Sequence, residues 1–447
     1  MKRGLIALAA FFLLLIPAAA FAAEKPAEAP AAELRSGLDQ LLSEHFVLAV
    51  MSMTKEYEGA PDAEQVQAAL QQNAEDMVPA IEKLYGKEGA EQFGKIFGSH
   101  NGYTKSLAMA AKQKDQQAAA EAKDDINQFT KEFSVFLEKA TGGKLTKETA
   151  KKALLAHEED VQKTFESYAE GDYKQAYQSF REGFGRMFTI SKALSGAITA
   201  QMPEKFASSD TKAADLRSSL SSLTAEHTAL AALGLQKGYD GAADYDFVNW
   251  AEDQHTMDFK KTISAIYGNK AGMQFEKIWQ SDHIIAQGEL AAAAAEGDQQ
   301  KEQAAKGKLM NFSKKFGTFL SEATGERLSE KDAQAAILKH ENSIIKAFDN
   351  YVSKDYAASY RSFREGYAFM FEAAKTLSNA IASQMPDKYT GSSSSMPSGM
   401  PKTGFGGASQ SEEASRSLSL MAVSLTALVI LTAGVLYQKR HSFRKMS

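Results

Sequence analysis

The chain has 447 residues, 44% hydrophobic and 24% charged, the mix of a folded protein with room for two or three domains. Its formal net charge is −5 with both signs interspersed, which argues against a nucleic-acid binder. It has no cysteine, which excludes disulfides, thiolate metal sites and cysteine nucleophiles.

Residues 1–22 read as a secretion signal. Lys2 and Arg3 form its basic start, "LIALAAFFLLLIP" its apolar stretch, and Ala20-Phe21-Ala22 a small-x-small cleavage site. The apolar run is short for a membrane span and the cleavage site follows at once, so cleavage is expected rather than anchoring.

Residues 31–206 and 214–389 read as one unit written twice. "LLSEHFVLA" returns as "LTAEHTALA", "QSFREGFGRMF" as "RSFREGYAFMF", and "LSGAITAQMPEKF" as "LSNAIASQMPDKY". The offset is 182 between His45 and His227 but 183 between Phe129 and Phe312, so one residue was gained in between. Each copy is large enough to bury its own core. The segment "ASSDTKA" between them suits a turn and a helix cap.

Every segment of the unit has helical periodicity. The first carries the stripe Leu34, Leu38, Leu41, His45, Leu48, repeated as Leu216, Leu220, Leu223, His227, Leu230. The second carries Asn73, Met77 and Ile81 against His255, Phe259 and Ile263, and "YG" closes it in both copies. The third holds Phe93, Phe97 and His100 against Phe275, Trp279 and the pair Asp282-His283. The fourth is a phenylalanine stripe (Phe129, Phe133, Phe136; Phe312, Phe316, Phe319). The fifth carries His157 or His340, and the sixth runs from "DY" to "QMP", where Pro203 and Pro386 stop it. No stretch alternates like a strand. The expected fold is all-α, two tandem homologous bundles of about six helices each.

After the body comes a Gly/Ser/Pro-rich stalk, residues 390–417, expected to be flexible. Residues 418–437 are uncharged and long enough to span a bilayer. Residues 438–447 form a basic tail whose Lys439, Arg440, Arg444 and Lys445 would stay cytoplasmic. The order of pentapeptide, apolar span and basic tail resembles the sorting signal of sortase-anchored proteins of Gram-positive bacteria. Their pentapeptide is Leu-Pro-x-Thr-Gly, and here it is Met400-Pro401-Lys402-Thr403-Gly404, with Met of similar volume in place of Leu. The resemblance implies transient membrane anchoring, cleavage by sortase between Thr403 and Gly404, and a link from Thr403 to peptidoglycan on the cell surface. The alternative is a plain single-span membrane protein.

Histidine placement is the one chemical signal in the body. Six of the eight histidines form three pairs in inward stripes: His45 with His227, His100 with His283, His157 with His340. His255 adds a seventh, opposite Asn73 in the first copy. Imidazoles converging from separate helices suit a transition-metal ion such as copper, zinc or iron. Glu44, Asp76, Glu158, Glu226, Asp258, Asp282 and Glu341 lie nearby as further ligands or as groups that orient the rings. His100 stands three residues after Phe97 but His283 four after Trp279, so matching the two requires a rotation of about 100° or a local bulge.

The ferritin-like pattern of Glu-x-x-His on two helices is read as absent at the histidine positions, and His-Glu-x-x-His is absent as well. A mononuclear three- or four-histidine site or an axially ligated haem stays open. The repeated body resembles the helical domain of secreted proteins of spore-forming Gram-positive bacteria that carry the label "copper amine oxidase-like". In that family a His-Met pair often sits late in the last helix. Here those positions are Arg186-Met187 and Phe369-Met370, so the Met is kept and the His is not.

Arg181-Glu182 and Arg364-Glu365 read as surface charges. No catalytic triad, phosphate loop or paired catalytic acid stands out, so no catalytic residue is assigned. Two functions compete: a cell-wall protein whose bundles bind a transition metal, and a structural or adhesive spacer whose histidines belong to its core.

Overall fold

The computed structural model describes residues 25–393. The secretion signal, the sorting motif, the apolar span, the basic tail and all but the first four residues of the stalk lie outside the described residues. Within them the chain is all-helical with no strand, and one isolated bridge pairs Thr211 with Ser392.

The first half comprises α1 (Pro30–Glu58), α2 (Ala63–Gln113), α3 (Gln116–Ala140), α4 (Lys147–Ala169) and α5 (Tyr173–Gln201). The second comprises α6 (Lys212–Asp240), α7 (Tyr245–Tyr267), α8 (Asn269–Trp279), a π-helical turn (Gln280–Ile284), α9 (Ile285–Glu296), α10 (Gln299–Ala323), α11 (Glu330–Val352), α12 (Tyr356–Gln384) and the short α13 (Pro386–Tyr389). Local chemistry sets several of the starts. The Asp115 carboxylate accepts from the amides of Gln117 and Ala118 at the head of α3, both at 3.0 Å. Thr211 caps α6 by accepting from Ala214 at 3.1 Å, so "ASSDTKA" does end in a helix cap.

Both "YG" pairs interrupt helices. Gly86 takes φ 74°, ψ 179° inside α2, and Gly268 takes φ 87°, ψ 163° between α7 and α8. Side chains with a Cβ are excluded from this region, so glycine is required at both breaks.

The two halves exchange contacts reciprocally. Arg364 on α12 donates to Glu44 on α1 at 3.0 Å and to Asp76 on α2 at 2.8 Å. Arg181 on α5 donates to Glu226 on α6 at 2.8 Å and to Asp258 on α7 at 2.9 Å. Tyr360 donates to Asp62 and Tyr177 to Asp244, at 2.7 and 2.8 Å. Lys55 donates to the Tyr351 hydroxyl and Lys237 to the Tyr168 hydroxyl, at 3.0 and 2.7 Å. Near the start of α1 and α6, Arg35 pairs with Asp215 while Arg217 pairs with Glu33. Each contact has a twin with the halves exchanged, the signature of an isologous interface. Phe188 and its counterpart Phe371 face each other across it, ring planes 3° apart and centroids 6.5 Å apart.

The surface reading of Arg181 and Arg364 is therefore corrected. Arg181 is buried and Arg364 is 16% exposed, and each reaches carboxylates of the opposite half instead of its neighbouring glutamate. One apolar cluster runs through this junction, with Phe46, Val47, Phe184 and Phe188 from the first half and Leu230, Tyr360, Tyr367 and Phe371 from the second.

Removing one partner of such a pair strands a buried charge, which typically costs about 3–5 kcal/mol. Arg364→Ala and Arg181→Ala are each expected to lower stability by roughly that amount, read as a shift in the urea midpoint. Lys87→Ala, which breaks an exposed helix-surface pair with Glu91, should leave the midpoint in place.

Candidate metal centre

Three elements per half bring their imidazoles together. In the first half His45 comes from α1, His100 from α2 and His157 from α4, all buried. The His45 ring lies 5.0 Å from that of His100 and 5.9 Å from that of His157. In the second half His227 comes from α6, His283 from the π turn and His340 from α11, with His227 4.9 Å from His283 and 5.4 Å from His340. Within each trio one ligand atom per residue lies within 4.8 Å of the others. A tetrahedral ion bound at 2.0–2.1 Å needs nitrogens roughly 3.3 Å apart, so modest side-chain movement closes either trio on a metal.

The π turn resolves the displaced third histidine. The extra residue of the second half falls between Trp279 and His283, and Gln280–Ile284 absorbs it as one wide turn. His283 then occupies the place of His100. His100 stacks on Phe129 at 4.2 Å and 20°, and His283 on Phe312 at 4.3 Å and 18°. The bulge removes the need for a 100° rotation.

The ring nitrogens fit a metal. Neither nitrogen of His45 or His340 has a hydrogen-bond partner, and neither does Nδ1 of His157, although all are buried. Burying such a group without a partner is costly, and a metal ion would satisfy it. In the second half His227 Nε2 and His283 Nε2 face each other at 2.9 Å. Behind them His227 Nδ1 lies 2.7 Å from Glu252, and His283 Nδ1 lies 3.2 Å from Glu341. A carboxylate behind the ring is the usual way to orient a metal-ligating histidine.

The acidic candidates divide into two groups. Glu158 lies 3.2 Å from His100 Nε2 and also accepts from the Tyr103 hydroxyl, and Glu341 stands behind His283. Glu44, Asp76, Glu226 and Asp258 bond the arginines of the opposite half, and Asp282 pairs with Lys315 at 2.9 Å near the surface. As expected ring-orienting groups these five are corrected: their carboxylates serve arginine or lysine. Adjacent positions on a helix point about 100° apart, so Glu44 turns away from the trio that His45 joins.

Glu252 and Tyr103 were not among the sequence candidates. Glu252 and His255 are a Glu-x-x-His pair on α7, so the reading that none accompanies the histidines is also corrected. The spacing was the available signal. The first half offers none there, because Leu70 and Asn73 stand in place of Glu252 and His255. Asn73 and His255 do share one structural task. Asn73 donates to the carbonyl of Leu41 at 3.1 Å, and His255 Nε2 lies 2.8 Å from that of Leu223.

No protein-family model, curated protein or solved structure matches the chain.

Burial shapes the proton affinities. It lowers His45 and His283 well below the ordinary histidine value, with neighbouring imidazoles adding to the effect, and lowers His157 as well. His340 is pushed down to about 3 by burial and by His227. Burial would raise Glu252, but His227 and His255 outweigh it and hold the carboxyl at about 2. Burial raises Glu341 well above the carboxylate range, which favours its acid form.

A buried histidine with a lowered folded pKa binds fewer protons folded than unfolded. Its stabilising contribution is full above about pH 6.5 and is lost as pH falls toward the folded value. Glu341, Asp39 and His255 have the opposite sign, since their raised pKa values favour the fold at low pH, but the four lowered imidazoles are joined by Glu252, held at about 2, and outweigh them. The metal-free protein should therefore lose stability between about pH 6.5 and 3, at about 1.4 kcal/mol per pH unit for each imidazole titrating in the unfolded chain. Urea titrations across that range check it, and His340→Gln should reduce the slope.

Proposed function

We propose that this is a cell-wall-anchored surface protein whose helical body binds transition-metal ions at buried histidine centres, capturing or buffering them outside the cell. The observation that carries this reading is the pair of buried three-imidazole clusters, each with one ligand atom per residue within 4.8 Å of the others. Neutral imidazoles favour copper, zinc or iron over magnesium or calcium. The body is proposed as two homologous bundles, residues 31–206 and 214–389, joined through the reciprocal arginine contacts. The anchor is proposed from the terminal sequences: a leader over residues 1–22, the motif Met400-Pro401-Lys402-Thr403-Gly404, an apolar span and a basic tail. Sortase and peptidoglycan are the implied partners, with membrane attachment before processing.

The competing reading is a non-catalytic spacer with structural histidines. It draws on the ring stacking of His100 and His283 against phenylalanines and on the bond from His255 to a helix carbonyl.

Elemental analysis of protein purified without a polyhistidine tag separates the two. Metal binding is expected in the wild type, with at least one ion lost in His45→Ala and in His340→Ala; no bound metal would leave the spacer reading. Residues with pKa values below the usual 6.5 stay neutral and able to coordinate in mild acid. His45 and His157 should therefore stay free to hold zinc below pH 6.5, as equilibrium dialysis across pH 7 to 4 on the wild type and on His45→Ala would read. For the anchor, mass analysis of wall fragments should find Thr403 amide-linked to a stem peptide. An intact chain through Ser447 in membranes, with none in the wall, would contradict it.

A further inference from the structure

His227 belongs to two clusters at once. Its Nε2 faces His283 in the trio with His340, while its Nδ1 lies 2.7 Å from Glu252. Glu252 in turn lies 3.7 Å from His255 Nδ1. His227, Glu252 and His255 form a second set of ligand atoms within 4.8 Å of one another. His255 is arranged for this. Its Nε2 lies 2.8 Å from the Leu223 carbonyl, to which the Nε2–H donates, and this turns Nδ1 toward Glu252 as the ring atom free to bind an ion once it is deprotonated. All three side chains are more than nine-tenths buried.

We propose that the second half holds a pair of transition-metal ions bridged by the His227 ring. One ion takes His227 Nε2, His283 and His340. The other takes His227 Nδ1, Glu252 and His255. On binding both, the ring gives up its remaining N–H proton to solvent and bridges as an imidazolate. The first half holds one ion only, because Leu70 and Asn73 occupy the positions of Glu252 and His255. This inference rests on the metal-binding reading above and adds to it a stoichiometry and an asymmetry.

A route to the second set exists. A narrow cleft with about 30 Å³ of room, enough for one or two waters, is lined by Tyr245, Asn249, Glu252, Gln287 and the glycines Gly234 and Gly288. Asn249 is exposed, and Glu252 lies at the histidines. In the first half Ser52 and Gln67 replace Gly234 and Asn249 and bond each other at 2.6 Å. Gln67 also donates to the Asn101 carbonyl at 3.3 Å, tying down the same region.

The test is metal stoichiometry in the full secreted protein, with zinc as the probe for counting and copper(II) for spectroscopy. The wild type should bind three zinc ions per chain. Glu252→Leu/His255→Asn installs the residues that the first half already carries at these positions, and should bind two. His255→Asn alone, which keeps a donor for the Leu223 carbonyl, should behave the same way if the double variant is unstable. Loaded with copper, the wild type should show about one paramagnetic resonance signal for three ions, because imidazolate-bridged copper pairs couple and fall silent at low temperature. The variant should show a full signal for its two ions. Two ions in both proteins with uncoupled signals would overturn the bridged pair while leaving metal binding intact. Three ions in the variant would overturn the ligand assignment. No ions in the wild type would overturn both this inference and the reading beneath it.

Discussion

A guanidinium taken out of water needs a carboxylate taken out with it, and Arg364 and Arg181 find theirs in the opposite half of the chain. Each lies between the glutamate that precedes a histidine on α1 or α6 and an aspartate on the next helix. The same two helices therefore carry the junction on one face and the candidate ligands on the next. Glu44 holds Arg364 while His45, one residue on, turns about 100° into the bundle. Packing of the halves and orientation of the imidazoles are set by the same helices.

The junction also explains why so many polar groups can be buried so close to the histidines. Tyr360 with Asp62, Tyr177 with Asp244, and the lysines Lys55 and Lys237 form hydrogen-bonded sets in which each charge meets an opposite charge or a hydroxyl. Both ring nitrogens of His45 and of His340 are buried without a hydrogen-bond partner. Buried polar atoms without a partner call for a specific explanation, of which a bound ion is one. Phe129 stacks on His100 and Phe312 on His283, holding those two rings from the side.

The halves repeat in sequence and are unequal in chemistry. The first has Tyr103 and Glu158 beside His100 and fills the region of the second-half cleft with Gln67 and Ser52. The second lacks that tyrosine, since Ala286 stands there, and gains Glu252, His255 and a cleft. Its Glu341, without a hydroxyl donor, takes up the proton that burial favours, while Glu158 stays ionised against burial because His100 and Tyr103 support its charge. The two histidine trios thus sit in different electrostatic environments.

Much of this was legible in the sequence because helical period and spacing are local properties. A repeat of 3.6 residues fixes which side chains share a face, so the inward direction of His45, His100 and His157 could be read directly, as could the breaks at Gly86 and Gly268, where the backbone needs glycine. The one-residue change of offset was also visible, although only the π turn at Gln280–Ile284 shows how His283 regains its register. Glu252 was legible as the first residue of a Glu-x-x-His pair. Its importance was not, because that comes from His227 on another helix. The destinations of Arg181, Arg364, Glu44 and Asp76 could not be read at all. A side chain's face follows from its own helix, but its partner is decided by how distant helices pack, and here that packing joins residues about 300 positions apart.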